Sequence, residues 1–283
     1  MNITQQFYQL TQKKIKTLVS VSGGDICTAY RAILHDGQKI FIKTHKNAHM
    51  LSVEADGLKW LQTAQTIAIP TIIAVANESQ SRGLLALEWI EPTSPTDANW
   101  ETFGRQLAWL HKANPGFFGF AKNNYLGHLK QSNIITNKWV DFFRTHRLLT
   151  QIELAIDTQR APANLAKKFE PLLNDLESLL GNPTPAYLHG DLWSGNHVFS
   201  ATGVPYLIDP SVYAGHREVD IAMMKLFGGF SERTFSAYQE IYPLQSGWEH
   251  RILIYQLYYL LAHVNLHGSG WLRSVLSVLK RVS

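Results

Sequence analysis

The chain has 283 residues, 45% of them hydrophobic and 17% charged, with a formal net charge of +4. That length and apolar content can bury a sizeable core, as one large domain or two lobes, and exclude a disordered chain. The mild positive balance, with no Lys/Arg run, suits an anionic ligand such as a nucleotide and gives no nucleic-acid arm.

Cys27 is the only cysteine, which excludes an intramolecular disulfide and a thiolate metal cluster. The first eight residues lack a basic stretch followed by an apolar core, so no signal peptide is expected. The longest apolar segment, residues 252–264, is interrupted by Gln256 and His263 and reads as a buried helix. The expectation is a soluble, cytoplasmic protein without a membrane or nucleic-acid partner, its oligomeric state open.

In chain order, residues 16–21 read as a first strand, and 28–34 as a second. Ser22-Gly-Gly24 lies between them. Two glycines there let backbone N–H groups approach phosphates, although an ordinary hairpin turn has the same composition. His35-Asp-Gly-Gln38 is a turn leading to a third strand, 39–43. Lys43 ends that strand, where a kinase lysine reaches nucleotide phosphates. Eleven residues on, Glu54 sits on a helix whose apolar face carries Leu51, Leu58 and Leu61. A glutamate there can fix the lysine by an ion pair.

Residues 71–76 and 84–90 complete five strands with one helix inserted after the third, the plan of a kinase N-lobe. In that plan Glu88, Trp89 and Ile90 form the hinge that offers backbone groups to adenine. The Pro-rich stretch from Glu91 ends the pattern, so the domains are expected to be an N-lobe over 1–91 and a C-lobe over 92–283. The C-lobe reads as mainly helical, with helices over 100–112, 137–157, 164–180, 217–227, 231–241, 247–266 and 271–282. His263 and His267 have a helical metal-ligand spacing but no third ligand nearby, and read as core or surface histidines.

The chemistry concentrates in His189-Gly-Asp-Leu-Trp-Ser-Gly-Asn196 and Ile208-Asp-Pro210. Asp191 and Asn196 have the spacing of a kinase catalytic loop, and Asp209 closes the next apolar run. Phosphoryl transfer is mainly positioning and charge neutralisation. One carboxylate, Asp191, orients the nucleophile, while hard oxygen donors at Asn196 and Asp209 hold magnesium.

Together with Phe41-Ile-Lys43, Glu54-Ala-Asp-Gly-Leu58, Leu107-Ala-Trp-Leu-His111, Phe118-Gly-Phe120, Trp139-Val-Asp-Phe-Phe143, Gly215-His-Arg-Glu-Val-Asp-Ile-Ala222 and Leu226-Phe-Gly-Gly229, these strings resemble the fructosamine-3-kinase (ketosamine kinase) family. That family lies within the aminoglycoside-phosphotransferase-like, protein-kinase-like group. The resemblance implies an α+β, two-lobed fold with a five-stranded antiparallel sheet and a helical C-lobe. It implies ATP- and Mg2+-dependent phosphorylation of a sugar hydroxyl of a ketosamine, free or protein-bound, in deglycation repair.

The resemblance makes Asp191 the catalytic carboxylate, Lys43 and Glu54 the phosphate clamp, and Ser22, Gly23 and Gly24 the phosphate loop. Asp220 braces the catalytic loop through its backbone, and His189 supports it. Trp193, two residues after Asp191, offers a flat apolar wall on which a sugar can stack. Tyr213, His216, Arg217 and Glu218 follow the metal aspartate and are expected to line the sugar pocket. One departure is Asp25, where many members of that family carry a cysteine; here Cys27 lies two residues on. Two other readings stay open: a kinase of this fold acting on an aminoglycoside, choline-like or other sugar substrate, and a nucleotide-binding pseudokinase.

Overall fold

The computed structural model describes residues 2–21, 27–76 and 82–282. The phosphate-loop residues Ser22, Gly23 and Gly24 therefore lie outside the described residues, as does Asp25. The chain's contacts divide it into two compact units, Met1–Asn99 with His197–Pro210, and Trp100–Asn196 with Ser211–Ser283.

The first unit opens with helix α1 (Ile3–Thr11), which the strand-first reading of the sequence did not contain. Asn2 Oδ1 accepts from Gln5 N at 2.8 Å and the Gln5 side chain returns to Asn2 N, a reciprocal cap at the first turn. Five antiparallel strands follow: β1 (Ile15–Val21), β2 (Thr28–Leu34), β3 (Lys39–His45), β4 (Ile72–Val75) and β5 (Gly83–Glu88). They are arranged in the order β1-β2-β3-β5-β4. Helix α2 (Ala48–Thr63) is inserted between β3 and β4. One sheet face buries Ala32, Leu34, Ile40, Ile42, Leu84 and Ala86 with Phe7 of α1, which gives the amphipathic α1 its place.

A short hairpin, β9 (His197–Phe199) with β10 (Pro205–Leu207), belongs to this unit. It bridges Ala68 through Tyr206 and Pro92 through Ser200, which ties down the segment that ends at Asp209.

The second unit contains α3 from Trp100 onward (the helix runs Asp97–Lys112), the hairpin β6 (Asn124–Leu126) and β7 (Leu129–Gln131), α4 (Trp139–Phe143), α5 (Thr150–Asp157) and α6 (Leu165–Leu180). Strand β8 (Ala186–Leu188) pairs with β11 (Tyr213–Gly215). Helices α7 (Glu218–Phe227), α8 (Glu232–Ile241), α9 (Trp248–His267) and α10 (Leu272–Val282) complete it. The helix expected over 137–157 begins at Trp139 and has a π-helical centre, Arg144–Leu149, between α4 and α5. That extra residue per turn brings Arg147 fully inside.

Helix α9 is buried on nearly every side, the reason its sequence lacks a polar stripe. Its Tyr255 meets Phe143 edge to face at 5.0 Å and accepts from Trp139 Nε1 at 2.9 Å. Among the described residues no helix is long and apolar enough to cross a membrane.

Candidate active site

Lys43 points inward from β3 and is 7% exposed. Its Nζ donates to both oxygens of Glu54 at 2.9 and 3.0 Å and to Asp209 Oδ1 at 2.7 Å. The pairing follows from two periodicities. The strand alternation turns Lys43 inward, and the apolar face of α2 holds Glu54 on the same side as Leu51 and Leu58. Asp209 follows β10 with φ 55°, a left-handed conformation that aspartate tolerates better than most residues, and its side chain is 46% exposed.

One ammonium shared between two carboxylates leaves a local net charge of −1. Burial works against the Lys43 ammonium, but Asp209 and Glu54 outweigh it and hold the lysine charged. Burial pushes the Glu54 carboxyl up, with Lys43 opposing and Asp209 adding to the rise. Both shifts run upward: the two carboxylates favour the Lys43 ammonium, while burial and the neighbouring Asp209 disfavour the Glu54 carboxylate. The Cys27 thiol, next to this group, is pushed up to about 11 by burial despite Lys43, which leaves it protonated and a poor nucleophile at neutral pH.

In the second unit, the loop after β8 carries Asp191 and Asn196. Asn196 Nδ2 donates to Asp191 O at 2.8 Å and to Asp191 Oδ2 at 3.1 Å. The loop hangs from one buried carboxylate: Asp220 accepts from His189 N at 2.7 Å and from Gly190 N at 2.9 Å. Gly190 has φ 81°, and a Cβ there would sit 2.1 Å from Ser211 O, so no other residue fits. His189 Nδ1 accepts from Asp191 N at 3.3 Å, and Tyr259 OH donates to Gly190 O at 3.0 Å. Trp193 is 42% exposed, its ring lying over Gly195, where a Cβ would come within 2.2 Å of it.

The fructosamine kinase family model covers residues 1–283. The chain is 41% identical to a probable ketoamine kinase of Enterococcus faecium over 260 residues, covering 90% of this chain and 91% of that protein. It is 32% identical to a chloroplastic protein-ribulosamine 3-kinase of Arabidopsis thaliana, with 94% and 82% coverage. A candidate fructosamine-3-kinase from Thermobifida fusca superposes with a TM-score of 0.91 at 30% identity, covering 99% of this chain and 98% of that one.

The chain belongs to the fructosamine kinase family. It is a kinase, and its fold is the α+β, protein-kinase-like one. An aminoglycoside phosphotransferase solved with ADP and hygromycin B shares that fold at a TM-score of 0.67 and 12% identity, with 100% and 99% coverage.

In this member of the family, the other expected site residues fall as follows. Glu88 ends β5, where its N–H donates to Thr71 O and its Oε1 accepts from Thr71 N, both at 3.0 Å. Trp89 and Ile90 follow half-buried, and the Trp89 indole donates to Glu91 at 3.3 Å. Tyr213, His216, Arg217 and Glu218 are all buried. His216 Nδ1 lies 2.7 Å from Tyr255 OH, Arg217 donates to Tyr242 O and Pro243 O at 2.6 Å each, and Glu218 takes a bidentate pair from Arg251 at 2.7 and 2.8 Å. The polar groups of His216, Arg217 and Glu218 bond inside the second unit, and Trp193 is the exposed member of the expected substrate set.

Two supports had no role in the sequence reading. His111, at the end of α3, places Nε2 3.2 Å from Asp220 Oδ2 and Nδ1 2.9 Å from Tyr238 OH. Burial holds its pKa below the ordinary value, so the neutral ring donates to Asp220 and accepts from Tyr238. The second is a buried amide chain. Gln131 donates to Ser211 O at 3.2 Å and to Asn124 Oδ1 at 2.7 Å, and Asn124 donates to Val212 O at 2.8 Å. It fixes the residues that follow Asp209-Pro210. The only sequence signal for His111 was its place in Leu107-Ala-Trp-Leu-His111, and the amides had none.

Proposed function

We propose that the chain phosphorylates a sugar hydroxyl of ketosamines, using ATP and magnesium. The observation that carries this reading is Asp191 and Asn196 hydrogen-bonded together on a loop whose backbone is clamped by the buried Asp220. Such a loop holds a carboxylate rigidly while leaving it able to accept a proton. Asp191 orients the sugar hydroxyl and takes its proton as the hydroxyl attacks the γ-phosphorus of ATP, the bond from that phosphorus to the bridging oxygen breaking so that ADP leaves. Lys43, fixed by Glu54, pairs with the nucleotide phosphates, and the backbone at Glu88, Trp89 and Ile90 receives the adenine edge. Ser22, Gly23 and Gly24 are the expected cover for the phosphates.

The donor set fits magnesium. That ion takes one or two carboxylates together with phosphate oxygens and water, and Asn196 and Asp209 supply hard oxygens. The half-exposed Asp209 is already paired to Lys43. Asn196 and Asp209 would hold the metal, which would supply positive charge to neutralise the phosphates. No covalent enzyme intermediate is needed. Trp193 packs the sugar's C–H face. In the deglycation role, the phosphorylated product breaks down and releases the free amine.

The test is ATP consumption with magnesium on ribulosyl-lysine, fructosyl-lysine, an aminoglycoside and choline, for the wild type and Asp191→Asn. Turnover of the ketosamines with a mass gain of one phosphate is expected. Asp191→Asn should lose at least about 100-fold in kcat while still binding ATP. Unchanged turnover in that variant removes Asp191 from the catalytic role, and turnover of the other substrates alone overturns the substrate class.

A further inference from the structure

Beyond the catalytic loop, the second unit has an open cavity of about 530 Å³ whose lining includes Phe227, Leu260, Trp271, Arg273 and Ser277. Its size lies within the range of small-molecule sites. Its lining residue Phe227 ends α7 two residues before Gly229, which packs on the catalytic loop. A Cβ on Gly229 would come 2.6 Å from Ser194 Cβ, so the chain just after Phe227 rests against the residue that follows Trp193.

The cavity wall is aromatic. The His263 ring lies 4.9 Å from Phe227 and 4.8 Å from Trp271, and those two rings are 6.2 Å apart. His263 Nδ1 lies 2.8 Å from Tyr259 O, a hydrogen bond that fixes the ring's tautomer. Burial lowers its pKa, so His263, packed against those two lining rings, adds no second positive charge there at neutral pH. Phe227 is exposed although it is a large apolar residue.

Arg273 is the one ionisable residue lining the cavity. It is exposed and has no hydrogen bond or ion pair among the described residues. Ser277, one helical turn on, shares its face of α10. A lone guanidinium beside apolar rings suits a ligand with an apolar body and one carboxylate, because its fork matches that group. A polycation would meet the wrong charge there.

We propose that this cavity holds the amine-bearing half of the substrate, and that it selects the ketosamine of a free amino acid with an apolar side chain. Phe227 and Trp271 pack the side chain, and Arg273 pairs with the α-carboxylate. This rests on the ketosamine reading above and extends it to the preferred form, a free amino-acid adduct rather than a protein-bound one. An adduct on a lysine side chain within a protein carries no carboxylate at that position.

The experiment is steady-state kinetics on two matched ketosamines, the fructosyl adducts of phenylalanine and of phenethylamine, which differ only in the carboxylate. A fructosyl-lysine peptide is the third substrate. The wild type should favour the phenylalanine adduct by about fivefold or more in kcat/KM, the scale of a partly exposed ion pair of about 1 kcal/mol. Arg273→Gln should raise KM for that adduct by the same factor with kcat retained, closing the gap between the pair. Trp271→Ala should raise KM for both adducts, and Lys280→Gln, an exposed charge change elsewhere on α10, should alter neither. Thermal melts of each variant check folding.

Equal kcat/KM for the matched pair in the wild type overturns the subsite, as does an Arg273→Gln effect equal on both, or preference for the peptide. Those outcomes leave the ketosamine reading standing. Turnover of no ketosamine at all removes that reading, and the subsite with it.

Discussion

Asp220 shows how much one buried carboxylate can hold. It is fully buried and receives His189 N, Gly190 N and the His111 ring, so its charge is met by three donors rather than by a cation. Asparagine keeps one acceptor and turns an NH2 group toward a donor. We expect Asp220→Asn to cost about 2–4 kcal/mol in urea unfolding, since it leaves buried N–H groups unpaired. We also expect kcat to fall by about tenfold or more, with KM for ATP little changed, because the residues proposed to hold the nucleotide belong to the first unit. A variant as active and as stable as the wild type would remove Asp220 from the bracing role.

At this scale the Lys43–Glu54 pair and the Asp191–Asn196 contact follow spacings already present in the sequence, because phosphoryl transfer constrains residue type and spacing together. The partners that steady them were not. His111 reaches Asp220 across 109 positions, a distance that no local pattern records.

Elements were legible where hydrophobic period and turn chemistry agreed. The strands of the sheet and the long helices lie within a few residues of where alternation and 3.6-residue spacing put them. Helix α1 was missed although Asn2 and Gln5 form a capping box, because nine residues alone make a marginal helix and only packing on the sheet stabilises this one. The π-helical Arg144–Leu149 is likewise a product of burial, since Arg147 must reach Asn133 Oδ1 at 2.6 Å and lie 3.9 Å over the Tyr213 ring.

Helix α3 supplies the sharpest test of element packing. Gly104 lets the helix approach Thr234 of α8 so closely that a Cβ would fall 2.1 Å from Thr234 O. In an exposed helix Gly→Ala gains about 1 kcal/mol. Here the clash is with backbone that cannot give way, so Gly104→Ala should lower stability by about 2 kcal/mol or more, read from urea unfolding. A stabilised variant would mean that α3 and α8 move apart freely.

Across the whole molecule, buried histidines make stability depend on pH. His216 is held well below its ordinary pKa by burial, with Arg251 and Arg217 adding to the shift. A depressed histidine stays neutral in the folded chain while the unfolded chain protonates near pH 6.5. Its contribution is therefore present above that value and lost as pH falls further. Glu54 and Glu218, both raised by burial, work the other way over the same range, so the wild-type profile alone mixes the terms. A variant isolates one of them. His216→Gln should be less stable than the wild type at pH 8, and the gap should close by up to about 1.4 kcal/mol per pH unit between pH 6 and 5. A gap that widens on acidification would show His216 charged in the folded protein.

The sequence by itself determined the family and the α+β fold, and it singled out Lys43, Glu54, Asp191, Asn196 and Asp209 as the residues proposed to carry the reaction. Local periodicity and the chemistry of phosphate and magnesium leave few alternatives for such spacings. Only the tertiary structure decided that residues 197–210 return to the first unit, bringing Asp209 to Lys43, and that Tyr213, His216, Arg217 and Glu218 turn inward. It alone set Arg273 beside the Phe227 and Trp271 rings. Those outcomes depend on which distant segments exclude water from one another, and a chain read in order carries no measure of that.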